Sequence, residues 1–490
     1  MRSFTAAPLA RALGGVCLPL ILAACGGGSS SDGPTPTPPG TLDRIEPYDP
    51  SAGKAAAASE SASVQPVAQS ARTVALPPFA APKSAPTEPK SGQPLQVGQP
   101  RDVAATASAS ATAALLQWQP TAQGTQVAAL RFVSPGAYGV RLGVWVQALP
   151  AGAVLRSYGT DGAAAQISAA QLQATAQRNA EGGASDAEAH TWWSPDFAAP
   201  ETTLEIEIPA GASPAAVQVA VPRLSHYTIA PAHWESAAAS TTKAAGDAGA
   251  CNRDAICTPE YLDQSRAVAR MSYTRSNGKS YWCTGTLLND ARSSGTPHFL
   301  TANHCISTQS EASSLVTDWF YRASACGTPN TNPATRQLTG GATLLSANAN
   351  TDVSLLRLND APPAGAVYAG SYFGTPAATG TPLVAVHHPA GDRQKISLGT
   401  LGSYQNCPNG GELCQTSNTT DANFIRLSWQ QGVVEQGSSG SAAFLTLQGK
   451  RYVVGQLFRG SSSCDNPQGT DDYGRFDVSY RNALSKWLNP

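Results

Sequence analysis

Three polar residues in the C-terminal half of the sequence have the types and surroundings that acyl transfer requires. His304 follows the apolar run 299–302, Asp352 opens a second apolar run, and Ser439 lies in a turn flanked by glycines. A serine hydroxyl is a weak nucleophile until an imidazole takes its proton, and the imidazolium then needs a buried carboxylate that orients and stabilises it. We therefore predict that Ser439 is a nucleophile, His304 its general base and Asp352 the orienting acid.

The turn around the serine also predicts donors for a developing negative charge. Gly437 has no side chain, so its N–H can turn toward an oxyanion together with the N–H of Ser439. Each such donor lowers a reaction barrier by roughly 3–4 kcal/mol. The chain order His, Asp, Ser is that of the chymotrypsin arrangement and differs from the orders in subtilisin and the α/β-hydrolases.

Two other functions compete with this interpretation. An esterase is the weaker alternative because the stretch 437–441 lacks the Gly-x-Ser-x-Gly elbow. The alternative from another class is a non-catalytic surface lipoprotein that uses the same fold for binding. A broken triad would indicate such a binder, and all three residues are present.

Short β-strands are the elements that the composition provides to position these residues. The 490 residues include 45 Gly and 37 Pro but only 2 Met, and 13% of them are charged with a formal net charge of −1. Strands joined by turns suit this composition better than long helices do. Neither a nucleic-acid partner nor an acidic tail is expected from so small a net charge.

The first 24 residues predict an export signal. Arg2 and Arg11 precede or flank an apolar core at 13–23 that is too short to span a bilayer. It ends in Leu-Ala-Ala-Cys, which resembles the lipobox of bacterial lipoproteins, so we predict lipidation of Cys25; a chance Cys after an ordinary signal is the alternative. The expected location is the bacterial envelope through this lipid anchor, or the medium after processing.

Four further segments follow the signal. Residues 25–105 are rich in Pro, Ala and Ser and predict a disordered spacer. Residues 106–235 contain alternating apolar runs and predict a small β-sandwich-like domain. Residues 236–250 form a small-residue linker, and 251–490 have the length of one two-barrel domain that closes with a short helix.

Eight cysteines remain once the signal region is set aside, and all lie in the C-terminal domain. They are Cys251, Cys257, Cys283, Cys305, Cys326, Cys407, Cys414 and Cys464. An even number in an exported protein predicts four disulfides, for which the sequence alone allows 105 pairings. No Cys-x-x-Cys pair occurs, so we expect no metal and no cofactor. The adjacent His387 and His388 cannot both face one site on a strand, and we interpret them as structural.

Residues 251–490 resemble the lysyl endopeptidases of Gram-negative bacteria, a branch of the chymotrypsin-like serine peptidases. The matching motifs are at 251–252, 283–287, 300–305, 386–389, 437–441, 454–457 and 471–475. Residues 110–235 resemble, more weakly, the propeptide region that precedes such enzymes. The resemblance implies a mainly β, two-barrel fold and a serine endopeptidase that acts on proteins or peptides through an acyl-enzyme. We expect a monomer that is made as an exported precursor.

The resemblance also implies which cysteines pair. It pairs Cys251 with Cys464, Cys257 with Cys326 and Cys283 with Cys305, and it leaves Cys407 to pair with Cys414. The first of these bridges would join the two ends of the domain, and the third would hold the loop that carries the predicted base.

A pocket for Lys or Arg needs a carboxylate at its base. Trypsin places it six residues before the nucleophile, where this sequence has Val433. The resemblance assigns the carboxylate to Asp471, with Asp472 and Asp465 as nearby rivals and a solvated acidic loop as the alternative. The family has a His in the substrate-binding strand where this chain has Phe458. We predict cleavage after Lys, with Arg also accepted, and contact of Phe458 with substrate.

Activation cannot follow the trypsin route. Ser438 occupies the position of the Asp that captures the new N-terminus in trypsin-type zymogens, and a hydroxyl cannot do so. We predict that residues 26–243 are a propeptide and that a cut near Lys243–Ala244 separates the C-terminal domain from the anchor at Cys25. The enzyme itself could make this cut.

Overall fold

The computed structural model describes residues 42–51, 66–80, 93–160, 162–230, 247–408 and 413–490. The predicted signal, the lipidation site Cys25 and the predicted cleavage site Lys243–Ala244 lie outside these residues. Within the described ranges, no helix combines the length and the apolar character needed to cross a membrane.

Apart from the short strand β1, the strands before the linker form two sheets with a shared apolar core. Its strands are β1 Arg44–Ile45, β2 Arg72–Ala75, β3 Leu95–Asp102, β4 Gln119–Pro120, β5 Gln126–Val133, β6 Val140–Ala148, β7 Val154–Tyr158, β8 Ala164–Ser168, β9 Thr191–Trp193, β10 Glu201–Ile208 and β11 Gln218–Tyr227. Its helices are α1 Ala109–Ala113, α2 Ala169–Glu181 and α3 Asp186–Ala189. One sheet has the order β2-β5-β10-β7-β8 with β4 on β5, and the other includes β3-β11-β6-β9.

Alternation places the apolar residues of this domain between its sheets. In β10, Leu204, Ile206 and Ile208 are buried, and they pack in one cluster with residues of β5, β6 and β11. The prediction of a β-sandwich-like domain is confirmed in this respect. Helix α2 was not predicted; it begins with a capping box between Ser168 and Gln171.

Three strands fall within the predicted spacer at 25–105. Strand β2 lies parallel to β5, β3 is antiparallel to β11, and β1 pairs with a strand of the C-terminal domain. The prediction of disorder is therefore wrong for these strands. Their composition is poor in large apolar residues, but each has one side chain in a core: Ile45, Val74 and Val97 are 2%, 7% and 0% exposed. The stability of such short runs comes from distant partners, which local composition cannot reveal.

The C-terminal domain continues the strand numbering. Its strands are β12 Arg253–Asp254, β13 Val268–Thr274, β14 Ser280–Leu288, β15 His298–Ala302, β16 Val316–Trp319, β17 Arg336–Leu338, β18 Ala342–Asn348, β19 Val353–Leu358, β20 Gly370–Tyr372, β21 Pro382–His387, β22 Lys395–Asn406, β23 Gln415–Ser417, β24 Phe424–Gln431, β25 Ala442–Leu447, β26 Lys450–Gly460 and β27 Thr470–Arg475. Its helices are α4 Leu262–Ser265, α5 Gln309–Ser313, α6 Phe476–Ser479 and α7 Ser485–Leu488, and one π-helical turn, Tyr480–Leu484, joins the last two.

Two sheets build this domain. Strands β25-β21-β22-β24-β27-β26 close into a barrel, because β26 pairs with both β25 and β27. Strands β16-β13-β14-β15-β19-β18 form a half-barrel, with β17 added to β16. An apolar cluster between them includes Leu300, Val353, Phe444 and Phe476, so that the C-terminal helical segment also covers this core. The predicted fold class, mainly β with a chymotrypsin-like protease domain and a short C-terminal helix, is confirmed.

The N-terminal domain and the half-barrel share one sheet. Strand β3 pairs antiparallel with β14, with Ser280 opposite Gly98 and Trp282 opposite Leu95. The sheet of β3, β11, β6 and β9 therefore continues into the half-barrel and contains 11 strands. The sequence did not predict this continuity.

The structure contains the four disulfides that the family resemblance implied. They join Cys251 to Cys464, Cys257 to Cys326, Cys283 to Cys305 and Cys407 to Cys414. The first spans 213 residues and joins the two ends of the domain.

Candidate active site

Two antiparallel strands bring the predicted base and the predicted acid together. Strand β15 ends at Ala302, which lies opposite Val353 at the start of β19. The residues that follow β15 and precede β19 therefore lie at one edge of the sheet. There His304 Nδ1 is 2.7 Å from Asp352 Oδ2, and the backbone N–H of His304 donates to Asp352 Oδ1 at 2.9 Å. Both carboxylate oxygens face the same residue, which fixes the imidazole orientation.

The backbone around Asp352 is held in a conformation that few side chains adopt. Its φ is 50°, in the left-handed region that Asp tolerates better than most residues do. Its carbonyl accepts from the N–H of Asn303 at 2.9 Å. The Gln456 amide donates to the carbonyl of Thr351 at 2.6 Å. Gln456 lies in a motif that carried the family resemblance, but its contact with the acid's backbone was not predicted.

Strand β14 connects the predicted nucleophile to the predicted base. The N–H of Thr284 donates to the carbonyl of Ser439 at 2.8 Å, and its hydroxyl donates to the carbonyl of Gly437 at 2.9 Å. The preceding residue, Cys283, is bonded to Cys305, which directly follows His304. Adjacent residues of β14 therefore hold both segments: Thr284 holds the serine turn by hydrogen bonds, and Cys283 holds the histidine loop by a disulfide.

One imidazole nitrogen remains available at this site. His304 Nε2 is buried and has no hydrogen-bond partner within the described residues, while Nδ1 contacts Asp352. Ser439 is 6% exposed. A nitrogen in this state can accept a proton from a hydroxyl once substrate excludes water, since catalytic hydrogen bonds often tighten only in the complex.

The peptide before Gly437, the residue predicted to supply an oxyanion donor, has a defined orientation. The carbonyl of Gln436 accepts from the N–H of Ala390 at 2.6 Å, and because the peptide is trans, the N–H of Gly437 points the opposite way. Within the described part of the chain, neither this N–H nor that of Ser439 donates to another protein group. Gly437 has φ 91°, and an added Cβ would lie 2.8 Å from the carbonyl oxygen of His388. Only glycine fits this position.

A neutral hydrogen-bond chain supports the serine turn. Ser397 donates to the carbonyl of Val433 at 2.8 Å, so it accepts from His387 Nε2–H at 2.9 Å. His387 Nδ1 is then an acceptor, and the Ser438 hydroxyl donates to it at 2.8 Å. Burial, with a smaller effect of Lys395, lowers the pKa of His387 to about 3, so the ring stays neutral. The pair His387 and His388, which sequence reasoning assigned to structure, lies directly beneath the nucleophile's turn.

Asp471 is a buried carboxylate whose hydrogen bonds come from neutral groups. It is 1% exposed and accepts from Trp429 Nε1–H and, at 3.3 Å, from the N–H of Ser462. Among the described residues it forms no ion pair. Burial, above all, raises the pKa of Asp471 to about 6. The neighbouring Gly460 leaves room for it, because a Cβ there would overlap the carboxylate.

The two rival acids have different surroundings. Asp472 accepts from Arg426 at 2.8 and 2.9 Å and lies 3.5 Å from Arg459, so its charge is already matched. Asp465 is exposed in the turn before β27. Of the three, only Asp471 is both buried and unmatched. The supporting Trp429 and Ser462 were missed, because nothing local to those residues indicates their long-range contact.

Phe458 lies between the histidine and the short disulfide loop. Its ring centroid is 6.1 Å from that of His304 and 5.1 Å from that of Phe424. It packs in one cluster with Cys407 and Cys414, and the guanidinium of the next residue lies over its ring. The structure therefore brings Phe458 next to the predicted base, at the wall of the site.

In the part of the chain that the structure describes, two groups of side chains have ligand atoms close enough for a metal ion. They are Cys283 with His304 and Cys305, and Cys407 with Cys414 and Asp472. In both groups the sulfurs are already bonded to each other, and a disulfide does not supply the thiolates that a metal would need.

Comparison with known proteins gives the same family for both halves of the chain. The family described as lysyl endopeptidase, C-terminal domain, matches residues 245–474, and lysyl endopeptidase N-terminal domain matches 74–228. Lysyl endopeptidase of Pseudomonas aeruginosa is 32% identical over 438 residues, which cover 84% of this chain and 86% of that relative. A secreted RxLR effector protein of Plasmopara viticola is 37% identical over 115 residues, 22% of this chain and 27% of that protein.

The matching solved structures are more distant in sequence. A protease from M. tuberculosis in its active form has a TM-score of 0.32 and 17% identity, over 51% of this chain and 93% of that one. The assignment rests instead on the two family matches and on the Pseudomonas relative, whose similarity extends over both domains. With a site that contains the elements of serine catalysis, they establish that this chain is a serine endopeptidase of the lysyl endopeptidase family.

Proposed function

We propose that the enzyme cleaves peptide bonds on the carboxyl side of Lys, and that it is exported as a precursor. The observation that carries the specificity is Asp471, a carboxylate buried to 1% exposure without an ion pair in the described residues. A buried charge is costly unless it is matched, and the ammonium of a substrate Lys would match it.

The proposed chemistry uses the three residues in their predicted roles. His304 Nε2 takes the Ser439 proton as Oγ attacks the substrate carbonyl, and Asp352 stabilises the imidazolium through Nδ1–H. The N–H groups of Gly437 and Ser439 stabilise the oxyanion. His304 then returns the proton to the leaving amine, which leaves an acyl-enzyme. Water attacks next, with the same histidine as base, and releases the acid product and the free serine.

Hydrogen bonds to Asp471 favour Lys over Arg. One carboxylate oxygen accepts from Trp429 and the other from Ser462. A guanidinium binds best when both oxygens are free for two parallel hydrogen bonds, whereas an ammonium is a compact charge that needs only one lone pair. These contacts also allow cleavage after Arg, with lower efficiency than after Lys.

The precursor proposal is supported by how the chain after the linker is held. The N–H groups of Ala248 and Gly249 donate to Asp392 at 3.2 Å and to Glu435 at 2.8 Å. These contacts are formed with the N-terminal domain still attached. Because Ser438 is fixed by the neutral His387, the serine turn needs no charged N-terminus. We propose that the precursor is anchored through Cys25 and is then cut near Lys243. We also propose that the enzyme is a monomer. The four disulfides fit export to an oxidising compartment.

The specificity is tested with matched peptides that differ only in the cleaved residue. We expect kcat/KM to rank Lys above Arg and both far above Phe, with no cleavage by Ser439→Ala. Best activity on Phe would refute the proposal. N-terminal sequencing of processed protein tests the precursor: we expect a start at or shortly after Ala244, and a start far upstream would contradict it.

A further inference from the structure

A segment near the start of the described chain lies on the protease domain. Residues 42–51, here called the strap, include β1, which pairs antiparallel with β20. Tyr48 and Tyr368 exchange two backbone hydrogen bonds of 2.8 Å, and the N–H of Phe373 donates to the carbonyl of Asp43 at 2.8 Å. Residues before and after β1 in the sequence therefore also form backbone hydrogen bonds with the protease domain.

The side chains of the strap contact a surface of the protease domain, here called the groove, that is formed by β20, Arg266, Lys450 and Tyr452. Ile45 is 2% exposed and belongs to the core cluster of the protease domain. Glu46 lies 2.7 Å from Lys450 Nζ and accepts from the Tyr452 hydroxyl at 3.0 Å. Asp49 accepts from Arg266 at 2.8 Å. The strap thus combines a buried aliphatic side chain, Ile45, with two acidic side chains, Glu46 and Asp49, that each face a basic residue of the protease domain. A binding site could recognise an extended peptide by this pattern.

The strap contacts only one side of the proposed cleavage site. Every hydrogen bond and ion pair described above joins it to residues between 251 and 490. Within the described residues, none joins it to the domain at 66–230. Covalently it belongs to the propeptide, but by its contacts it is part of the protease domain.

The groove is separate from the catalytic centre and from the interface that β3 makes. Tyr452 and Gln456 lie on the same strand, β26, four residues apart, which corresponds to about 13 Å. Strand β3 instead pairs with β14 at Ser280 and Trp282. The groove is therefore separate from the interface between residues 93–230 and the protease domain, which includes the pairing of β3 with β14 and the hydrogen bonds of Arg141 and Asn179 to Ser314 and Ser313.

We propose that this groove is a peptide-binding exosite whose occupant is the strap, and that it keeps the propeptide bound after the linker is cut. The inference rests on the proposed processing of the precursor. A propeptide fragment that binds at two sites dissociates slowly. When one site releases, the other still holds the fragment, so the released segment stays at a high effective concentration and binds again. Main-chain pairing supplies affinity and the Ile45 pocket supplies specificity, as in other cases of strand addition.

The test uses the full chain with Ser439→Ala and a recognition site for an unrelated, sequence-specific protease placed within 231–246. After that protease has cut the linker, the N-terminal fragment is captured and release of the C-terminal fragment is timed. Ile45→Asp should speed release at least tenfold, and the matched control Leu42→Asp, at a position 50% exposed, should leave it unchanged. Equal release rates for wild type and Ile45→Asp would overturn the proposal.

An exchange of charges between Glu46 and Lys450 provides a second test, which stays valid even if the Ile45 variant misfolds. Glu46→Lys should speed release, and Glu46→Lys with Lys450→Glu should restore it; no restoration contradicts direct recognition. A labelled peptide of residues 42–51 should bind saturably to the cut Ile45→Asp complex and not to the uncut wild type, whose groove is filled. Absence of saturable binding would overturn the exosite. No arm requires catalysis, so a failure of the proposed Lys specificity would not alter these outcomes.

Discussion

Replacement of Asp471 by Asn tests the substrate pocket with little change of shape. Asn keeps one oxygen that can accept from Trp429 or Ser462, but it has no negative charge. Because the side chain is 1% exposed, solvent would screen its attraction for a substrate ammonium only weakly. The substitution therefore removes the charge and leaves most of the packing in place.

The expected loss follows from the cost of breaking a buried ion pair. Removing one member of such a pair costs about 3–5 kcal/mol. At 1.36 kcal/mol for each factor of ten, kcat/KM for a Lys peptide should fall roughly 150- to 5,000-fold. A matched peptide with a neutral residue at the cleaved position should lose little. Asp465→Asn, at an exposed position of the same segment, is the control and should behave as wild type.

The pH dependence gives a second readout of the same carboxylate. Since burial raises the pKa of Asp471 to about 6, the free pocket loses its charge below that pH. The ratio of kcat/KM for Lys to that for the neutral peptide should fall as the pH drops through 6, and in Asp471→Asn it should be flat. Any effect of pH on the catalytic step that both peptides share cancels in the ratio. If the variant kept the wild-type preference for Lys, Asp471 could not be the base of the pocket.

Four further outcomes are expected. Asp471→Asn should also remove a pH dependence of unfolding: with a pKa raised from 3.8 to about 6, the folded state keeps a proton that the unfolded state loses, so wild-type stability falls as pH rises through this window. Gly437→Ala keeps the backbone N–H, but its Cβ would lie 2.8 Å from the carbonyl oxygen of His388 at a φ of 91°, so the turn and the N–H must shift; kcat should fall about 10²- to 10³-fold, as misplacement of an oxyanion donor does. Asp352→Asn should lower kcat about 10⁴-fold, because an amide selects the wrong imidazole tautomer. Ser438→Ala should cost about 1–3 kcal/mol in chemical denaturation, since it leaves His387 Nδ1 buried without its donor.

The features that sequence predicted are those that depend on short motifs. His304 and Asp352 were recognisable because each adjoins an apolar strand, and the pairing of β15 with β19 brings their neighbours together. Ser439 was recognisable by its glycines. The cysteine pairs followed from a resemblance that covers the whole domain, because spacing alone left all pairings open.

The features that sequence missed depend on contacts between distant segments. Trp429 and Asp471 are 42 residues apart and meet because β24 pairs with β27. Strands β1 and β3 have too few apolar residues to be noticed, and they are ordered because distant strands pair with them: β20 with β1, and both β11 and β14 with β3. Local composition reports how much apolar surface a segment has, but not whether a partner strand will cover it.

The neutral hydrogen-bond chain from Ser438 through His387 to Ser397 bears on what the proposed cut in the linker would achieve. In trypsin-type enzymes the N-terminus that cleavage frees orders the corresponding turn, whereas here hydrogen bonds between uncharged groups hold the serine turn. The carbonyl of Gln436 is already turned toward Ala390 while the N-terminal domain is attached. A cut in the linker therefore need not build the catalytic geometry. What it can change is how firmly β3 stays paired with β14, because that pairing ends two residues before the Thr284 that holds the serine turn.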